Sequence, residues 1–159
     1  MVKADVEKGR LPGAVALIAR KGRVAYFEAW GFRDKAAGAP LTKDAIFRIY
    51  SMTKPLTSVA VMMLVEEGRI GVADPVSKYL PQLGKLQVGV ERFDPTTGKP
   101  VFHTVPAERE MTIQDLLRHT SGLTYGVFGK SAVKDLYLEG GADGGDHSNA
   151  ELIDKLARL

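Results

Sequence analysis

Two runs of strand-forming residues near the start of the chain predict a pair of antiparallel strands. The runs LPGAVALIAR and RVAYFEAWG are rich in strand-forming residues, and Lys21-Gly22 separates them. A two-residue connection of this kind suits a tight hairpin, because glycine accepts a positive φ. A later apolar run, AIFRIY, predicts a further short strand over residues 45–50.

The longest apolar run predicts a helix. Nearly every residue from Leu56 to Val65 is apolar, which is typical of a helix buried on all sides, and Gly68 provides its stop. Asp74 and Pro75 then have the order of a cap followed by the first helical position. They predict a short helix that Pro81 ends.

The second half of the chain predicts a hairpin and two helices. Two partly alternating runs flank DPTTGK within residues 86–105, as expected for a second pair of strands. Thr112 and Asp115 have the spacing of a capping pair, which predicts the start of a helix. Ser148 and Glu151 repeat that spacing ahead of apolar positions that recur at helical intervals.

Composition narrows the class of protein. The chain has 159 residues, of which 45% are hydrophobic and 26% charged, enough for a globular core. The net charge of +3 comes from scattered residues, so we expect no nucleic-acid partner. No apolar run is long enough to span a bilayer, and the start lacks the pattern of a secretory signal. Without cysteine, the chain fits either cytoplasm or periplasm. We expect a cytoplasmic location, with periplasm or secretion left open.

The stretch RIYSMTKPL carries candidate chemistry. Ser51 and Lys54 are three positions apart, so on a helix they share a face. A serine becomes a nucleophile when a neighbouring base takes its proton, and an uncharged lysine amine is such a base. The positive end of a helix and a buried setting both favour the uncharged amine. Pro55 must lie in the first helical turn, which puts Ser51 at or just before the cap.

Two interpretations of this stretch stay open on spacing alone. In the first, free backbone N–H groups at the helix start, including that of Ser51, stabilise the oxyanion of an attacked carbonyl. In the second, Ser51 is an ordinary helix cap, because S-x-x-K arises often by chance.

Two longer motifs resemble a known superfamily. FRIYSMTKPLTSVAVMMLVEEGRIGVADPVSKYLPQL and, later, MTIQDLLRHTSGLTYG are similar to segments of the serine β-lactamase-related superfamily. It includes class C β-lactamases, D-aminopeptidases and the family VIII carboxylesterases. The resemblance implies an α+β fold of the β-lactamase and penicillin-binding-protein type, in which helices flank an antiparallel sheet beside a helical domain.

The resemblance also implies roles for individual residues. Ser51 matches the acylated nucleophile and Lys54 its general-base partner, while Tyr125 is expected to line the substrate cleft. The implied activity is hydrolysis of short-chain carboxylic esters through an acyl-enzyme, with some β-lactam hydrolysis and no cofactor. The alternatives are a β-lactamase, a D-aminopeptidase or penicillin-binding protein, and a non-catalytic relative of the fold.

One expected motif is missing from the chain. Superfamily members carry a catalytic tyrosine further along, and Tyr125 and Tyr137 lie in the wrong context to replace it. We therefore expect residues 1–159 to be the N-terminal part of a longer hydrolase domain, partnered by its C-terminal remainder. Within it, residues 1–50 form the first strands of the sheet, and 51–159 form the catalytic helix and part of the helical region.

No metal site is expected. His103, His119 and His147 are too far apart in sequence to show ligand spacing. His119 is interpreted as a structural hydrogen-bonding residue.

Overall fold

Helices and antiparallel sheets make up the structure, so the predicted α+β class is confirmed. The computed structural model describes residues 1–125 and 130–159, which form two compact units, Met1–Thr53 and Lys54–Leu159. The helices are α1 (Val2–Glu7), α2 (Thr53–Glu66), α3 (Ile113–Arg118), α4 (Ala132–Glu139) and α5 (Asn149–Leu156). The strands are β1 (Gly13–Arg20), β2 (Arg23–Asp34), β3 (Ala39–Pro40), β4 (Gln87–Phe93) and β5 (Pro100–Pro106).

The first unit is built on the predicted hairpin. β1 and β2 pair antiparallel, and β3 adds to the other side of β2. Lys21 and Gly22 form the turn with φ values of 49° and 72°, the doubly positive geometry that matches the twist of the flanking strands. The hairpin prediction is confirmed.

The strand predicted over residues 45–50 is wrong. Residues 45–49 have no regular structure, and Ile46 is fully exposed. A strand exists only where its backbone pairs with a neighbour, and no described strand pairs with this segment. The short β3 lies instead beside Phe32 and Asp34 of β2.

At Gly31 of β2, the backbone of Pro12 and Gly13 lies too close to leave room for a side chain. Its φ is +78°, and a Cβ there would lie 2.4 Å from the Pro12 carbonyl oxygen and 2.8 Å from the Gly13 Cα. We expect Gly31→Ala to lower the free energy of unfolding by roughly 2–4 kcal/mol, as measured by urea denaturation. The matched control is Gly38→Ala, where φ is +64° with nothing within 4 Å, and we expect a loss of about 1 kcal/mol. Equal losses would contradict the steric argument.

α2 forms where predicted but is not buried. It ends at Glu66, and Gly68 follows with φ +70° and an N–H that donates to the Val65 carbonyl, so the glycine stop is confirmed. No residue of α2 is buried, and Leu56 is 63% exposed. The predicted burial on all sides is wrong for this chain, because the core of the second unit forms elsewhere.

The buried core of the described residues lies within the second unit. Its buried members are Val76, Leu83, Ala142 and Leu156. Two 3-10 helices, Val76–Lys78 and Pro81–Lys85, supply the first two, and α5 supplies Leu156. The predicted hairpin β4–β5 and the capping boxes that begin α3 and α5 are confirmed.

The prediction at Asp74 and Pro75 is only partly right. Pro75 precedes a 3-10 helix and is not the first residue of an α-helix. The Asp74 carboxylate accepts hydrogen bonds from Lys78 Nζ, the Tyr79 hydroxyl and the Gly71 N–H, and these lower its pKa to about 2. Asp74 thus closes a loop and does not cap the following helix.

None of the helices in the described part of the chain is both long and apolar enough to cross a membrane.

Candidate active site

Ser51 and Lys54 lie at the opening of α2. Ser51 is in a 3-10 turn, Tyr50–Met52, and α2 begins directly after it at Thr53. Lys54 is the second residue of α2 and is half-buried, and Pro55 follows in the first turn, as predicted. Residues three apart along helical backbone lie near one face, so this local structure favours a shared face for Ser51 and Lys54. Their functional pairing stays a prediction.

The backbone is strained immediately before Ser51. Tyr50 has a φ of 44°, in the left-handed region that bulky residues rarely occupy. Such a conformation costs about 1–3 kcal/mol and is concentrated at active sites and ligand clamps. Sequence reasoning missed this feature, because nothing in the residue type of Tyr50 signals a positive φ.

Lys54 lies beside the aromatic ring of Tyr125. The Lys54 Nζ is 5.9 Å from the ring centroid, within the range of a cation–π interaction. Two of the three residues proposed from the sequence are therefore in contact, although they are far apart along the chain. Tyr125 is 50% exposed, so part of its ring is accessible to another molecule.

A buried carboxylate anchors the loop that leads to Tyr125. The Asp115 side chain is only 9% exposed, and Oδ1 accepts a hydrogen bond of 3.0 Å from the Thr120 hydroxyl. Arg109 donates to both carboxylate oxygens at 2.6 and 3.0 Å, and the Thr112 N–H donates at 2.9 Å. These donors, Arg109 first, hold the pKa of Asp115 well below its ordinary value. The capping motif predicted only the bond to Thr112.

His119 ends α3 before this loop. It adopts a left-handed conformation with φ 59°, and its N–H donates to the Leu116 carbonyl. The backbone of His119 therefore turns the chain from α3 toward Tyr125.

Carboxylate and imidazole groups do not converge on a metal site in the described residues. Within residues 1–125 and 130–159, no three histidine, aspartate or glutamate side chains lie together in a ligating arrangement.

The whole chain matches one family. The sequence model of the family described as Beta-lactamase covers residues 1–159. Among curated proteins, the chain is similar to Protein Rv1367c of Mycobacterium tuberculosis, with 42% identity over 125 residues. That alignment covers 79% of this chain and 30% of the relative.

Two further relatives have descriptive names. Esterase EstB of Burkholderia gladioli is 37% identical over 152 residues, which cover 94% of this chain and 34% of EstB. Among solved structures, a protein described as EstCE1, a hydrolase with promiscuous acyltransferase activity, matches with a TM-score of 0.73 and 29% identity. That match covers 98% of this chain and 37% of EstCE1. The chain thus spans about a third of the length of these relatives.

Proposed function

This chain belongs to the β-lactamase family, and we propose that it carries the serine and lysine of a hydrolase that works through an acyl-enzyme. The structural matches confirm the predicted β-lactamase-like fold, of which the chain forms a part. The observation that carries the proposal is the placement of Ser51 and Lys54 three positions apart at the start of α2, with Tyr125 against the lysine.

In the proposed first step, the Ser51 hydroxyl attacks the carbonyl carbon of an ester while the Lys54 amine accepts the hydroxyl proton. The backbone N–H of Ser51 donates to the oxyanion that forms. When the intermediate collapses, the carbon–oxygen bond to the alcohol breaks, and the alcohol leaves with the proton that Lys54 returns. The Tyr125 ring stabilises the ammonium that exists between these proton transfers.

In the second step, a water molecule attacks the acyl carbonyl and transfers a proton to Lys54. The acid is released as the bond to the Ser51 oxygen breaks, and the hydroxyl recovers its proton. Each proton taken up by Lys54 is returned, so the cycle needs no metal or cofactor.

We favour a carboxylesterase over a β-lactamase within this family. The name of EstB supports the choice, as does the combination of SMTK with the proline that follows it. The alternatives are a β-lactamase, and a D-aminopeptidase or penicillin-binding protein.

We also propose that further residues of the same protein complete the site. Relatives are about three times as long, and α2 leaves Leu56, Val59, Met62 and Met63 exposed. An apolar side of a helix is normally covered by other parts of a domain. The activity should therefore be measured in the whole protein. We also propose the cytoplasmic location that the sequence predicts.

A comparison of substrates tests the proposed function. We expect the whole protein to hydrolyse p-nitrophenyl esters with a higher kcat/KM than the lactam nitrocefin, and to form a fluorophosphonate adduct at Ser51. Faster turnover of nitrocefin would favour a β-lactamase. A stable penicillin adduct without turnover would favour a penicillin-binding protein.

A further inference from the structure

The second unit contains a large cavity, and Lys54 and Tyr125 of the proposed site belong to the same unit. Its volume is about 620 Å³, within the range of roughly 300–1,000 Å³ that is typical of small-molecule sites. The hairpin β4–β5, α4, the end of α5 and the loop after α3 contribute to its wall. Several separate elements therefore shape it, as expected of a concave binding site.

One face of the β4–β5 hairpin lines this cavity. A Cβ built at Gly89 would lie 2.5 Å from Val133 Cγ2 of α4 and 2.8 Å from the Phe102 ring, so this face is directed at α4. Thr104 pairs with Gly89 across the hairpin and shares that face. Apolar side chains form much of the remaining wall: Leu83, Phe102, Met111, Leu136 and Leu156.

Three charged residues line the wall, Lys85, Arg109 and Glu110, and the last two are paired within the protein. Arg109 forms its ion pair with Asp115, and Glu110 accepts a hydrogen bond of 2.6 Å from Ser77. Burial raises the pKa of Tyr137, which also lines the cavity. Because two of its three charges are paired and most of its other side chains are apolar, the wall suits the apolar part of a ligand.

The cavity and the surroundings of Tyr125 are bordered by the same short loop. Ser121 and Leu123 line both the cavity and a smaller adjoining pocket, and Tyr125 lines that pocket too. The ring of Tyr125 in turn lies against Lys54. The loop of Ser121 and Leu123 is therefore the observation that connects the cavity with Tyr125 and Lys54.

We propose that this cavity receives an unbranched alkyl chain of the ester substrate, in either its acyl or its alcohol part. The assignment rests on the proposed function, because it places the ester carbonyl next to Ser51 and Lys54. It extends the expected substrates beyond the short acyl chains that the family resemblance implies.

Two series of esters test this assignment in the whole protein. One lengthens the acyl part, from p-nitrophenyl acetate to p-nitrophenyl octanoate, and the other lengthens the alcohol part, from ethyl acetate to octyl acetate. We expect kcat/KM to rise with chain length in one series, and that series identifies the part of the substrate in the cavity. Thr104→Phe, which fills the cavity, is expected to lower the ratio of long-chain to short-chain kcat/KM by roughly tenfold.

Val101→Phe is the matched control. Val101 precedes Thr104 on β5 and points to the opposite face of the hairpin, so the same aromatic ring there should leave the ratio unchanged. Thr104→Leu adds less bulk and is expected to shift the ratio in the same direction by a smaller factor. It serves as the test if thermal unfolding shows that Thr104→Phe does not fold.

The possible failures are distinguishable. If wild-type protein forms the fluorophosphonate adduct and hydrolyses acetate esters, but shows no dependence on chain length in either series, the cavity assignment is wrong while the proposed function stands. Equal ratios for the Thr104 variants and Val101→Phe would also overturn the assignment. Absence of both adduct and turnover would refute the proposed function, and the cavity assignment with it.

Discussion

Ser51→Ala is expected to lower kcat/KM for p-nitrophenyl esters by roughly a thousandfold or more, to the level left by binding and oxyanion stabilisation alone. Alanine removes the only atom proposed to bond to the acyl carbon, so no acyl-enzyme can form. Initial rates measure the loss, and intact-mass spectrometry should show that the fluorophosphonate adduct is absent.

Ser58→Ala is the matched control for this loss. Ser58 lies on α2, about two turns beyond Ser51, and its substitution should leave both rate and labelling unchanged. Lys54→Ala should lose nearly as much activity as Ser51→Ala, and the double variant little more, because the two groups act as a unit. An Ser51→Ala protein that still accepts the label would disprove the assignment of the nucleophile.

The elements predicted correctly are those fixed by neighbouring residues. The β1–β2 turn is specified by Lys21-Gly22, and α3 begins where Thr112 and Asp115 form reciprocal hydrogen bonds. Such turns and caps depend on a few adjacent positions, so the sequence contains the information needed to predict them.

The errors arose where structure depends on distant partners. Residues 45–50 have the composition of a strand, but a strand also needs a neighbour with which to pair. The apolar run of α2 is enough to predict a helix, yet its burial depends on what packs against it. The hydrophobic pattern indicates which side chains favour burial. It does not indicate whether other residues of this chain pack over them.

In the candidate site too, features set by neighbouring residues could be predicted and features that depend on distant residues could not. The spacing of Ser51 and Lys54 could be interpreted from the sequence because both lie within one helical turn. Tyr125 was assigned only through family resemblance, and its contact with Lys54 depends on the tertiary fold. The strain at Tyr50 and the bond from Thr120 to Asp115 left no recognisable sequence signal.

The second large effect is expected at Asp115, the anchor of the loop that leads to Tyr125. Among the described residues, its carboxylate accepts hydrogen bonds from the Arg109 guanidinium, the N–H and hydroxyl of Thr112, and the Thr120 hydroxyl. Asp115→Asn removes the charge that pairs with Arg109 and turns an amide NH₂ toward one of these donors. We expect the melting temperature to fall by roughly 5 °C or more.

Asp154→Asn is the matched control, because Asp154 is exposed on α5 and the same change of charge there should be nearly neutral. Equal losses in melting temperature for the two variants would contradict the role of the buried network.

The pH dependence of the fall in melting temperature caused by Asp115→Asn distinguishes an effect of charge from an effect of packing. Because the pKa of Asp115 is held below its ordinary value of 3.8, the carboxylate stabilises the fold fully above about pH 4. That contribution is lost as pH falls toward the lower folded-state pKa. The difference in melting temperature between wild type and Asp115→Asn should therefore be constant near neutral pH and shrink below about pH 4. A difference that stays the same in acid would mean that the variant is destabilised by its shape and not by the missing charge.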